Sequence, residues 1–127
     1  DIDHFKRVND KYGHQTGDIA LKTITSTISQ ALPDSSLFGR MGGEEFAVLL
    51  KASDQNQAME MTSLLQQKVR EIPINTEGGL TISCTISSGV TRKQEDIVSL
   101  DHLLRLADKA LYKAKEGGRN RSIFRDV

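Results

Sequence analysis

Four acidic residues and a pair of glycines hold most of the chemical potential of this 127-residue chain. In Gly42-Gly43-Glu44-Glu45-Phe46 two carboxylates follow directly on two glycines, and an apolar run to Leu50 comes after them. Adjacent carboxylates repel each other and call for a cation or a shared proton. Asp1 and Asp3 add two more acids at the start of the chain. Carboxylate oxygens at that density suit a hard divalent ion such as Mg²⁺, or Mn²⁺ in its place, which accepts a few protein ligands and phosphate oxygens together. Such an ion polarises an attacking hydroxyl and screens charge on a transferring phosphoryl group. The absence of a Cys/His cluster argues against zinc. The plain alternative is an exposed acidic hairpin tip.

The elements that must position these acids are readable from pattern. Gly42-Gly43 permits positive φ at both positions and predicts a tight two-residue hairpin. Leu37-Phe38 reads as its incoming strand. Phe46 to Leu50 reads as its outgoing strand, apolar on both faces and so interior to a sheet. Upstream, Phe5 to Tyr12 reads as a short helix ended by Gly13. A longer helix is predicted from Asp18 to Leu32, with Leu21, Ile24, Ile28 and Leu32 as its apolar stripe, and Pro33-Asp34-Ser35-Ser36 breaks it. Lys51 to Asp54 reads as a loop. A helix then runs to about Glu71 on the stripe Ala58, Met61, Leu65 and Val69, stopping before Pro73.

Gly78-Gly79 marks a turn, and Leu80 to Thr91 reads as one strand with Ile82, Cys84, Ile86 and Ser88 on one face. Residues 92–98 read as a polar loop. Ser99 is the expected cap of a last helix, with Asp101 in its first turn. Leu103, Leu104, Ala107, Ala110, Leu111 and Ala114 form its buried stripe. Gly117-Gly118 ends it, and Ser122 to Phe124 is a short final strand.

Composition narrows the function classes. The chain is one domain's worth of residues, enough for a sizeable core. Seventeen basic and seventeen acidic residues cancel, so any anion site must be local and no nucleic-acid polymer is expected as partner. Tryptophan is absent, which argues against stacking platforms for single strands. Cys84 is the sole cysteine, cannot form an internal disulfide and suits a reducing cytosol. No apolar run approaches a membrane span and no signal peptide is read.

Gly42-Gly43-Glu44-Glu45-Phe46 resembles the signature of the GGDEF domain of diguanylate cyclases, in its GGEEF form. Three further blocks stand in family order. They are Asp1-Ile2-Asp3-His4-Phe5-Lys6 with Asn9-Asp10, then Tyr12-Gly13-His14 with Gly17-Asp18, and Leu106 to Lys115 with Gly118-Arg119-Asn120. Together they cover nearly the whole chain. The resemblance implies an α+β fold like that of palm-type nucleotidyl cyclases, with a central, mainly antiparallel sheet and helices packed on it. It also implies that residues 1–127 form a single domain lacking its N-terminal portion, a first strand and the helix before it. With that strand restored, the order is β-α-α-β-β-α-β-α-β.

The implied activity is condensation of two GTP molecules into cyclic di-GMP with release of two pyrophosphates. Each domain would hold one GTP, so a second copy is the implied partner. The implied setting is the cytoplasm, as a signalling domain of a larger protein with an upstream sensory or membrane segment. By the same resemblance Asp1, the Ile2 carbonyl and Glu44 match metal ligands. Glu45 matches the carboxylate that helps deprotonate the ribose 3′-hydroxyl or holds a second metal. Asp3 can be metal-linked too, although it is read as pointing away from Asp1.

Asn9 and Asp18 match guanine-recognising positions, where an acceptor for the N1–H and 2-amino group and an amide favour guanine over adenine. Read alone, each is equally a cap, Asn9 of a turn and Asp18 of the next helix. His14 matches a position beside the nucleotide; a buried structural histidine is the alternative. Lys6, Lys115 and Arg119 match positions near the triphosphate, helped by backbone N–H groups around His4 to Lys6. Lys115 and Arg119 also suit a helix C-terminus on dipole grounds alone. Many members carry an inhibitory product site of the form R-x-x-D, which would fall at positions 33 to 36. Those positions read Pro33-Asp34-Ser35-Ser36, so no such site is expected.

Overall fold

The computed structural model describes residues 1–52, 54–95 and 99–126. Among them are four helices: α1 (Phe5–Tyr12), α2 (His14–Ala31), α3 (Gln55–Glu71) and α4 (Leu100–Glu116). Six short strands accompany them: β1 (Leu37–Gly42), β2 (Glu45–Leu49), β3 (Ile74–Asn75), β4 (Thr81–Ile82), β5 (Ser88–Val90) and β6 (Ser122–Phe124). The α+β class is the expected one. Among the described residues no helix is long and apolar enough to cross a membrane. The loop expected at 51–54 and that at 92–98 include positions 53 and 96–98, which lie outside the described residues.

The helices form where periodicity and caps agree. Asp54 caps α3, its carboxylate accepting from the Gln57 N–H at 2.8 Å. Ser99 caps α4 by accepting from the His102 N–H. The start of α2 differs from expectation. It begins at His14, four residues before Asp18, with Gly13 as its N-cap. The reason is packing against α1: Gly17 is buried, and a Cβ there would come within 1.8 Å of the Asn9 Oδ1. A side chain at 17 would push the two helices apart, so contact with α1 overrides glycine's poor helix propensity.

Ala20, Ile24 and Ile28 of α2 and Leu32 just after it join Phe5 and Val8 of α1, Leu65 and Val69 of α3, Ile2, Ile74, Cys84 and Ile86 in one core. On α4 the buried side chains are Leu106, Ala110 and Ala114. Leu106 was not in the expected stripe; Leu103, Leu104, Ala107 and Leu111 flank it half-buried.

The strands pair as three two-stranded ladders, antiparallel β1–β2, antiparallel β3–β4 and parallel β5–β6. The parallel pair needs a crossover, which α4 supplies. Residues 1–3 run between the first and third ladders. The Ile2 N–H donates to the Glu44 carbonyl at 3.2 Å, and Ile2 bridges Ile86 on its other side. Asp3 N–H donates to the Thr85 carbonyl and Ser87 N–H to the Asp1 carbonyl.

Two expectations about strands are corrected. β2 is not interior: among the described residues its only strand partner is β1, and its residues are half-buried or exposed, with Phe46 and Val48 packed on the core. Leu80 to Thr91 is not one strand but two, β4 and β5. Between them Ser87 is fully buried beside Ile86, because a carboxylate takes its hydroxyl hydrogen. β5 lies hard against α4, since a Cβ at Gly89 would stand 1.9 Å from the Ala107 carbonyl oxygen.

Candidate functional site

The hairpin turn carries the two glutamates. β1 and β2 pair from Leu37↔Leu49 to Arg40↔Phe46, the register then shifts, and Gly42 faces Glu45. Met41 is therefore the extra residue of a bulge. The turn is Gly43-Glu44, one residue later than expected from the glycine pair. Gly43 supplies the left-handed φ of 53°, while Gly42 at 155° belongs to the strand. Arg40 braces the turn, its Nε donating to the Gly43 carbonyl at 2.8 Å. Glu44 is left half-buried in the turn, and Glu45 opens β2 fully exposed.

Asp1 sits beside this turn through the Ile2–Glu44 hydrogen bond. Its side chain is only 5% exposed. One carboxylate oxygen, Oδ2, is ion-paired with Lys115. The other, Oδ1, is buried without a hydrogen-bond partner. Buried acceptors are rarely left so. The backbone nitrogen of Asp1 donates to the Ser87 carbonyl at 3.0 Å.

Among the described residues no three His, Cys, Asp or Glu side chains converge as a ready metal cage. The available donors are all hard oxygens: the orphaned Asp1 Oδ1, the Glu44 and Glu45 carboxylates, and the Ile2 carbonyl, which takes no part in the backbone bonds of residues 1–3. That set fits Mg²⁺, which uses few protein ligands and completes its shell with water and phosphate.

Asp3 is engaged by other partners than Asp1, although residues two apart in a strand share a face. It is 6% exposed. Its oxygens accept from Thr85 Oγ1 at 2.7 Å, Ser87 Oγ at 2.6 Å and the Asn120 N–H at 3.0 Å. A carboxylate with three donors is satisfied where it stands. Asp3 is therefore a buried hub joining residues 85–87 to the loop after α4. The polar Thr85 and Ser87 inside an apolar strand pattern were the available signal. Burial, with the Asp3 carboxylate second, pushes the neighbouring Cys84 thiol up.

At the α1–α2 junction, Asn9 leans over Gly17 and Asp18 follows on an exposed face of α2. Neither is a cap: Asn9 lies inside α1, and Gly13 caps α2. His14 is exposed rather than buried. Lys6 is exposed in the first turn of α1, whose cap, His4, takes φ 56° and makes no side-chain cap bond. In that turn the Arg7 N–H donates to the His4 carbonyl at 3.0 Å, while the Phe5 and Lys6 N–H groups precede the helix's own bonds.

Lys115 ends α4 and reaches Asp1. Arg119 lies half-buried in the following loop. The structure therefore gathers Asp1, Ile2, Glu44 and Lys115, and separately Asn9 with Gly17-Asp18. Among the described residues no hydrogen bond or ion pair joins the side chain of Lys6, His14 or Arg119 to the acids.

Comparison with known proteins bears on this arrangement. The family model for "Diguanylate cyclase, GGDEF domain" matches residues 1–121. The probable diguanylate cyclase DgcT of Escherichia coli (strain K12) is 41% identical over 128 residues, covering 100% of this chain and 28% of that protein. The cyclic di-GMP phosphodiesterase NbdA of Pseudomonas aeruginosa is 39% identical over 124 residues, covering 98% of this chain and 16% of that protein. The chain thus spans under a third of either relative. The GGDEF domain of DgcB from Caulobacter crescentus, solved in complex with c-di-GMP, superposes with a TM-score of 0.91 at 32% identity, over 98% of this chain and 73% of that one. With a family model matched over almost its full length, and the fold of that family's solved domains, this chain belongs to the GGDEF diguanylate cyclase family.

Proposed function

We propose that the chain is a single GGDEF domain that condenses GTP into cyclic di-GMP. Two GTP molecules, one on each of two facing copies, react so that each 3′-hydroxyl attacks the α-phosphate of the other and two pyrophosphates leave. Catalysis of this kind is mainly positioning and charge stabilisation. The observation that carries the reading is the buried Asp1 carboxylate with one oxygen unpartnered, next to the turn that holds Glu44.

Asp1, the Ile2 carbonyl and Glu44 would hold Mg²⁺, with Glu45 available to a second ion. The ion supplies neutralisation of phosphate charge and a more acidic hydroxyl. Glu45, exposed at the start of β2, takes the ribose 3′ proton. Lys6, Lys115 and Arg119 hold the triphosphate, with the Phe5 and Lys6 N–H groups at the start of α1 as further donors. Lys115, already paired with Asp1, links the acid cluster to the phosphates. His14 lies beside the nucleotide. The setting is the cytoplasm, where GTP is made.

Asn9 and Asp18 read the guanine edge. Their positions inside helices remove the capping roles that would otherwise explain them. Asp18→Ala is expected to weaken GTP binding about five- to a hundredfold, the cost of unpairing donors on the base. It should also relax preference over ATP, and calorimetry with both nucleotides measures this. An unchanged GTP/ATP ratio would remove Asp18 from recognition.

No product-binding clasp is assigned to Pro33-Asp34-Ser35-Ser36. That segment is a tight turn closed by Ser36 N–H on the Pro33 carbonyl. Arg40, the nearest arginine along the chain, is engaged with the Gly43 carbonyl.

Incubating the full-length protein with GTP and Mg²⁺ and identifying the nucleotide formed tests the reading, with cyclic di-GMP as the expected product. A second reading is a catalytically silent GTP-binding or regulatory module of the same fold. The match to a stretch of a protein named as a phosphodiesterase favours it. GTP binding without any product would establish that reading instead, and a different cyclic or linear nucleotide would overturn both.

A further inference from the structure

Arg119 and Asn120 adopt positive φ in succession, 63° and 49°. Non-glycine residues visit this region seldom, and a consecutive pair persists only where the surroundings over-determine it. Here they do. The Asn120 N–H is taken by Asp3 Oδ2 at 3.0 Å. From helix α3, Gln66 Nε2 donates to the Asn120 carbonyl at 2.6 Å and lies 3.3 Å from its Oδ1. Gln66 Oε1 in turn accepts from Ser122 Oγ at 3.3 Å. Arg121 Nε donates to the Arg119 carbonyl at 2.9 Å. The amide of Gln66 has a defined sense: both Asn120 acceptors require its nitrogen, and Ser122 finds its oxygen.

We propose that Gln66 is a positioning residue for nucleotide binding: from α3 it locks the Arg119–Asn120 turn, so that the Arg119 guanidinium is pre-set for the terminal phosphates. This rests on the phosphate reading of Arg119 given above. A cation held in place before the ligand arrives loses less freedom on binding, so unlocking the turn weakens the phosphate contact specifically. Nothing in the sequence pattern of α3 marks Gln66, since it lies beside the apolar stripe like any half-buried polar residue.

The test uses calorimetry with Mg²⁺ and two probes, α,β-methylene GTP and GMP. Gln66→Glu keeps size and the acceptor for Ser122 but replaces the donor facing Asn120; Gln66→Leu removes the donor without adding charge and serves if the glutamate unfolds the protein. Either is expected to lower affinity for the GTP analogue about three- to tenfold, the span of one lost hydrogen bond, with GMP affinity held within about twofold. Arg119→Ala should show the same selectivity, and adding Gln66→Glu to it should cost nothing more. A purely structural role for Gln66 would lower the melting temperature and leave the ratio of the two affinities unchanged. That result, or additivity with Arg119→Ala, overturns the proposal. If Arg119→Ala itself leaves the ratio unchanged, the phosphate reading of Arg119 fails first and the proposal goes with it.

Discussion

Glu45→Gln is expected to cut cyclic di-GMP formation by about a hundredfold or more, the usual cost of losing a positioned general base, in a protein that still folds. The side chain is exposed at the first position of β2, directly after the turn. Glutamine matches glutamate in size and β2 pairs through backbone groups, so the hairpin register has no reason to change. What changes is charge and basicity beside Asp1 and Glu44. The measurement is product formation from GTP at saturating Mg²⁺, with the circular dichroism spectrum and melting curve as controls. A folded Glu45→Gln protein with full activity would take Glu45 out of the mechanism. Loss of GTP binding in the variant would assign it to ground-state binding instead of the proton transfer.

The acid cluster and its order along the chain were legible because they are written in contiguous residues. Gly43 needs left-handed backbone, Glu44 and Glu45 follow it, and periodicity alone brackets the hairpin with strands. What was not legible is contact between segments far apart in sequence. The start of α2 at His14 depends on Asn9 accepting Gly17 as a neighbour, which no helix-start signal encodes. The split of residues 80–91 depends on Asp3 drawing Thr85 and Ser87 inward from more than eighty positions away. Lys115 read as a dipole-compensating residue or a phosphate ligand; its partner Asp1 lies at the opposite end of the chain. Asp3 is the instructive case. Standing two residues after Asp1, it would share a face with Asp1 in a strand; its role as a buried hub needed Asn120 as well, and that backbone N–H carries no sequence signature.

Gly89→Ala is expected to be the most damaging single methyl in the fold. An added Cβ would stand 1.9 Å from the Ala107 carbonyl oxygen and 2.3 Å from the Leu111 nitrogen. Both are backbone atoms of α4, so no side chain can rotate out of the way. The helix must move off β5 or β5 must leave β6, its parallel partner. Overpacking against adaptable side chains costs about 1–3 kcal/mol, and a backbone obstacle belongs at or above the top of that range. For a domain of this size that lowers the melting temperature by roughly 10 °C. Gly39→Ala is the matched control: it is also a strand glycine, but nothing lies within 4 Å of its added Cβ, so a change within about 0.5 kcal/mol is expected. Urea or thermal unfolding of the two variants reads the difference, and Gly89→Ala melting with Gly39→Ala would show that β5 and α4 are not in close contact. The consequence reaches the site, because α4 carries Lys115 to Asp1 and delivers the Arg119 loop to Asp3 and Gln66. A displaced α4 would therefore release Asp1 from its cation and the Arg119–Asn120 turn from one of its anchors, coupling a packing defect at Gly89 to weaker binding of the GTP triphosphate.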